Sequence, residues 1–81
     1  VRERLAETLL MLKEFGGTEN DGGTLRTSLS REEIANIVGT ATETTIRLLS
    51  EFRGDGLIEL EGKRIKIVDR DRLLRAANVE D

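Results

Sequence analysis

An 81-residue chain is long enough for one small domain, and at that size every apolar residue counts toward the core. Hydrophobic residues make up 37% and charged residues 36%, a soluble globular balance, and with Phe15 and Phe52 as the only aromatics the core must be built from Leu, Ile and Val. Without Cys or His there are no disulfides, no thiolate or haem chemistry, almost no route to a zinc site and none of the usual nucleophile–base pairs of hydrolases; no apolar run approaches the roughly 18 residues of a membrane span.

No signal peptide is visible, and the composition suits a soluble cytoplasmic protein. The chain opens at Val1 and enters an amphipathic pattern at once, without a cap, which reads as a piece of a longer protein. The net charge of −3 argues at first against nucleic acid. Its distribution softens that: residues 26–66 carry seven basic and seven acidic groups, and the excess of acid lies outside them.

Leu5, Leu9, Leu12 and Phe15 recur at helical spacing with Leu10 alongside, so the first element is a helix that Gly16-Gly17 ends. A polar loop follows, then a candidate short edge strand over Thr24–Leu29. Ser30-Arg31-Glu32-Glu33 is a capping box that starts a short helix carrying Ile34, Ala35, Ile37 and Val38; Gly39 stops it. Thr40-Ala41-Thr42-Glu43 reads as a second capping box one residue later. Two helix starts ten residues apart, separated by one glycine, force a tight helix-turn-helix crossing. The second helix, from about Thr40 to Arg53, turns Thr45, Leu48, Leu49 and Phe52 inward and Thr42, Glu43, Ile46, Arg47 and Ser50 outward. Leu57–Glu61 and Arg64–Val68 then alternate as two strands joined by Gly62-Lys63, a pair suited to a type II′ turn, with Ile58 and Leu60 sharing a face with Ile65 and Ile67. Asp69 caps a last short helix that offers Leu73, Leu74 and Ala77 for packing.

The order of elements describes an α+β winged helix-turn-helix: a small helical bundle with a β-hairpin wing, the helix-turn-helix at about residues 30–53 and the wing at about residues 57–68. Ala35 is the small residue that lets the second helix approach, and Gly39 is the turn residue that tolerates a left-handed backbone. Thr42, Glu43, Ile46 and Arg47 face out near the start of the second helix, where side chains reach base edges in the major groove. Arg47 suits a bidentate pair with guanine, Glu43 an acceptor for cytosine N4, and Ile46 a thymine methyl. Glu43 and Arg47 also stand at i, i+4, so an ion pair between them would orient the arginine.

Leu29-Ser30-Arg31-Glu32-Glu33-Ile34-Ala35-Asn36-Ile37-Val38-Gly39-Thr40 resembles the first half of the helix-turn-helix of the Crp/Fnr family of bacterial transcription regulators. Glu43-Thr44, Arg47-Leu48-Leu49, Asp55-Gly56-Leu57-Ile58 and Glu61-Gly62-Lys63 carry the resemblance into the wing, so it spans nearly the whole chain. The resemblance implies the C-terminal DNA-binding domain of a regulator that acts on double-stranded DNA in the cytoplasm, at the nucleoid. It further implies an effector-binding N-terminal domain and a long dimerisation helix, neither of which is in these residues, a homodimeric full-length protein and a possible contact with RNA polymerase. This segment would then be a monomer without a cofactor of its own. By the same resemblance Glu43 and Arg47 match base-reading residues and Thr44 a phosphate contact. Thr42 stands where many members have Arg, Thr45 where Val or Ile is usual, and Ile46 where Ser or Gly is common, so the target sequence should differ.

Blander readings stand beside these. Glu43 and Arg47 fit a helix-stabilising surface pair, Ile46 fits a core cover, and Lys63, Arg64 and Lys66 fit strand-edge charges as well as phosphate contacts. Arg31, next to Ser30 at a helix start, suits phosphate or solvent, and Thr40 and Thr44 complete the phosphate candidates. The rival functions are a winged-helix protein-interaction module, which the acidic net charge favours, and a small enzyme, which nothing in the residues favours.

Overall fold

Helix α1 (Arg2–Gly16) opens the computed structural model, which describes residues 1–78. Its buried side is a narrow stripe of Leu5, Ala6, Thr8 and Leu9. Thr8 is tolerated there because its hydroxyl donates to the Arg4 carbonyl at 2.8 Å. The sequence periodicity places Phe15 on this face as well; instead it is 82% exposed. At about 100° of rotation per residue it lies roughly 100° from the Leu5–Leu9 line, on the flank of the stripe and in the last turn. Leu12 is only partly buried.

Helix α2 (Arg31–Val38) begins with the expected capping box. The Ser30 hydroxyl accepts from the Glu33 amide at 3.0 Å, and the Ser30 amide donates to Glu33 Oε1 at 2.8 Å. Gly39 ends the helix at φ 86°, ψ 37°, the left-handed region in which a side chain is strained. The amides of Gly39 and Thr40 both donate to the Ala35 carbonyl, at 2.8 and 3.0 Å. That second bond holds Thr40 in the turn. Helix α3 (Thr42–Gly54) therefore starts two residues later than expected, with extended Ala41 in the cap position and no side-chain cap. The Thr40–Glu43 capping box does not form.

Thr45, Leu48, Leu49 and Phe52 of α3 are all buried, as their spacing requires. Strands β1 (Ile58–Glu61) and β2 (Arg64–Ile67) pair antiparallel, Ile58 opposite Ile67 and Leu60 opposite Ile65, so one face of the hairpin closes the core. Gly62 turns the hairpin at φ 60°, and no non-glycine residue among those described has positive φ, in keeping with the type II′ expectation. The expected edge strand over Thr24–Leu29 shrinks to short bridges: Leu25 donates to the Ile65 carbonyl at 2.8 Å and Gly23 accepts from the Ile67 amide at 2.9 Å. The Asp21 carboxylate collects the Gly23 and Thr24 amides and the Thr24 hydroxyl, which folds the loop tightly and leaves little length to pair. Helix α4 (Arg70–Ala77) is capped by Asp69, whose side chain accepts from the Arg72 amide at 3.1 Å. It lies along α1 and buries Leu73 fully, Ala77 in part and Leu74 least.

The core joins Leu5 and Leu9 of α1, Ile34 of α2, Leu49 and Phe52 of α3, Ile58 of β1 and Leu73 of α4. Among the described residues, four helices and a two-stranded hairpin in this order make a winged helix-turn-helix. No described helix is long and apolar enough to cross a membrane.

One polar atom in this core has no partner: the hydroxyl of Thr45, a residue 1% exposed. Thr45→Val removes that hydroxyl and keeps the branched shape. It should raise stability by about 1 kcal/mol, read as a higher urea midpoint at unchanged slope; a lower midpoint would mean that the hydroxyl is satisfied in solution.

Candidate nucleic-acid interface

Burial of one side of α3 leaves the other to solvent. Glu43, Ile46 and Arg47 are exposed and Thr42 and Thr44 are half-buried, so the first two turns present a continuous outer face. Ile46 is 48% exposed, so about half of it is open to another molecule. Arg47, with 62% of its side chain exposed, does not pair with Glu43. Its Nη1 donates instead to Glu51 Oε2, one turn toward the C-terminus, at 2.8 Å. Glu43 lies in the first turn of α3, where the helix dipole favours an anion, and makes no ion pair among the described residues.

The second part of the surface is the wing and the start of α2. Arg31 joins them: its Nη2 donates to the Gly62 carbonyl at 2.9 Å, while its Nη1 is enclosed without a protein partner. A role for this residue beyond phosphate or solvent was not legible in the sequence, since its partner is 31 positions away. Ser30 and Thr40 are half-buried, with the Ser30 hydroxyl engaged by Glu33 and the Thr40 amide by Ala35. The amide of Ser30, then its hydroxyl, hold the Glu33 carboxyl below its ordinary pKa, so the box stays ionised.

The wing is less positive than its lysines and arginines suggest. Lys66 stands opposite Glu59 and Arg64 opposite Glu61 across the hairpin. Arg64 also pairs with Glu19 at 3.2 Å. Lys63 at the turn is exposed and makes no ion pair among the described residues. The structure thus supports Lys63 as a cation free for another molecule and gives Arg64 a competing partner.

An outward helix face after a tight turn, with a hairpin beside it, is the arrangement of a DNA-reading domain. Residues 3–76 match the Crp-like helix-turn-helix domain. The chain belongs to that family. Over 76 residues it is 45% identical to the CRP-like cAMP-activated global transcriptional regulator of Mycobacterium tuberculosis, covering 91% of this chain and 34% of that protein. It is 38% identical over 68 residues to the transcriptional activator protein FnrA of Stutzerimonas stutzeri, covering 83% of this chain and 28% of the relative. Among solved structures, a CRP/FNR-family transcriptional regulator from Thermus thermophilus superposes with a TM-score of 0.86 at 28% identity, over 96% of this chain and 40% of that one. The CO-dependent transcription factor CooA from Carboxydothermus hydrogenoformans gives 0.83 at 31% identity, over 94% and 36%. The chain spans about a third of the length of the curated relatives it matches. As a Crp-like helix-turn-helix it is a DNA-binding domain of the kind found in transcription regulators.

The Arg31 bridge should hold the wing turn of this Crp-like domain in place. Arg31→Gln should shift and broaden the backbone amide resonances of Gly62 and Lys63 and leave the melting temperature nearly unchanged, because an exposed contact is worth only about 1 kcal/mol or less. Unaltered resonances at the turn would show that the wing stands without it.

Proposed function

We propose that this chain binds double-stranded DNA sequence-specifically, with α3 in the major groove reading one half-site of a palindrome. The outer face of α3 carries the proposal: Ile46 and Arg47 are exposed side by side there on a helix whose other face is fully committed to the core. Thr42, Glu43, Ile46 and Arg47 are assigned to base edges. Arg47 offers two parallel donors to guanine O6 and N7, Glu43 accepts from cytosine N4, and Ile46 packs on a thymine methyl. Ser30, Arg31, Thr40, Thr44, Lys63 and Arg64 are assigned to phosphates, with Lys63 the least encumbered and Arg64 needing to leave Glu19.

In the longer protein that the relatives suggest, residues N-terminal to this domain hold an effector site and a dimerisation helix. Names such as "cAMP-activated" and "CO-dependent" among the relatives support a small-molecule or gaseous signal without identifying it here. The dimer then sets two α3 helices about 34–36 Å apart across the palindrome. The protein acts in the cytoplasm by binding rather than catalysis, and it contacts RNA polymerase where it activates. This domain alone is a monomer whose affinity sits near the non-specific range of about 10⁻⁴–10⁻⁶ M.

Arg47→Ala should cost about 1–3 kcal/mol of binding and relax preference at a single G·C pair. An equal loss on every duplex would assign Arg47 to the backbone instead. Lys63→Ala should weaken all duplexes alike and reduce the salt slope by about one; an unchanged slope would remove the wing from the interface.

A further inference from the structure

Glu51 is shared between two arginines. Its Oε2 accepts from Arg47 Nη1 at 2.8 Å, and its Oε1 accepts from Arg2 Nη1 at 2.6 Å. Arg2 is itself held from two more directions: its Nη2 lies 3.6 Å from Asp55 Oδ2, and its guanidinium sits 5.0 Å from the centre of the Phe52 ring, a core residue. A chain of contacts therefore runs from the first turn of α1, through one carboxylate, to the arginine assigned to base reading.

The direction of the last contact matters. Side chains on a helix lean toward its N-terminus, and helix-turn-helix proteins read bases with the N-terminal part of the second helix. Glu51 lies one turn beyond Arg47 in the other direction, and its carboxylate, leaning back along the helix, engages Nη1 of the guanidinium on the side away from Glu43 in sequence. To reach a base, Arg47 must leave Glu51.

Resting on the DNA reading above, we propose that Glu51, oriented by Arg2, is a positioning residue that latches Arg47 on its own side of α3 and tempers DNA discrimination, because only a guanine-bearing duplex has to break the latch. A guanine offers two acceptors on one edge and replaces what Arg47 gives up; a duplex without that guanine leaves the latch closed. Arg2 keeps Glu51 paired after Arg47 has left, so no bare carboxylate faces the phosphates. Because Arg2 belongs to α1, the position of that helix against α3 sets how firmly Arg47 is held.

The test uses two duplexes: one enriched from a random pool by the unaltered chain, and a scrambled form of it. Glu51→Gln should raise the ratio of their affinities about two- to fivefold, the range of an exposed ion pair. Arg47→Ala should abolish that gain. The negative charge lost at position 51 acts alike on both duplexes and in both backgrounds, so it cancels from the cycle. In the DNA-free chain, ¹⁵N relaxation of the Arg47 Nε–H should report greater mobility in Glu51→Gln and in Arg2→Gln than in the unaltered protein. Unchanged Arg47 mobility in both variants overturns the latch while leaving the DNA reading intact. A gain in ratio that survives Arg47→Ala also overturns it, since charge alone would then explain the effect. If the unaltered chain enriches no sequence and no duplex shifts the α3 amides even at low salt, the DNA reading fails, and the proposed effect on discrimination fails with it.

Discussion

The left-handed turn at Gly39 is the constraint on which the rest of the molecule depends. At φ 86° the chain reverses in one residue, and the Ala35 carbonyl receives two amides, which closes α2 and holds the turn against it. Buried Ala35 leaves room for α3 to cross closely. The crossing commits Leu48, Leu49, Thr45 and Phe52 to the core. Once those four face inward, helical geometry leaves Glu43, Ile46 and Arg47 facing out. The candidate functional surface is thus a by-product of the packing surface: the same turn that builds the core chooses which side chains of α3 face outward.

Electrostatics adds a second layer. The net charge is −3, so attraction to phosphate cannot come from the domain as a whole. It must come from placement. Most charges on the wing and on α3 are already matched: Arg64 with Glu19, Lys66 opposite Glu59, Arg47 with Glu51. Such exposed pairs are individually weak and exchange readily for a phosphate or a base. On the proposed reading, such a surface binds non-specific DNA poorly and relies on correct base contacts and on the pairing of two domains.

The fold was legible because its signals are local. The Ser30 capping box, the Gly39 stop, the alternation on either side of Gly62-Lys63 and the Asp69 cap each act within a few residues, and each stands in the structure. What was not legible depended on partners distant in sequence or on a choice between equal local options. Glu43 and Glu51 both stand four residues from Arg47, so spacing does not choose between them, and the acid-before-base order favours the former. The pair forms with Glu51, whose other oxygen is engaged by Arg2, 49 positions away in sequence. Thr40 has the composition of a cap, but its amide is drawn into the end of α2. Phe15 follows Leu12 by a helical step, yet the steps drift roughly 100° off the Leu5–Leu9 line by the last turn, beyond the narrow stripe that Leu5, Ala6 and Leu9 bury. The Arg31 bridge to Gly62 joins two elements whose proximity only the tertiary fold creates.

In the proposed reading the first turns of α3 and the wing turn form one DNA-binding surface. A residue-resolved NMR titration of this chain tests it most directly, with a short palindromic duplex and a scrambled control at low and moderate salt. Amide shifts should cluster on residues 40–47 and on Gly62-Lys63, larger for the palindrome and shrinking as salt rises. Shifts confined to another face, such as the exposed side of α1 around Phe15, would contradict it.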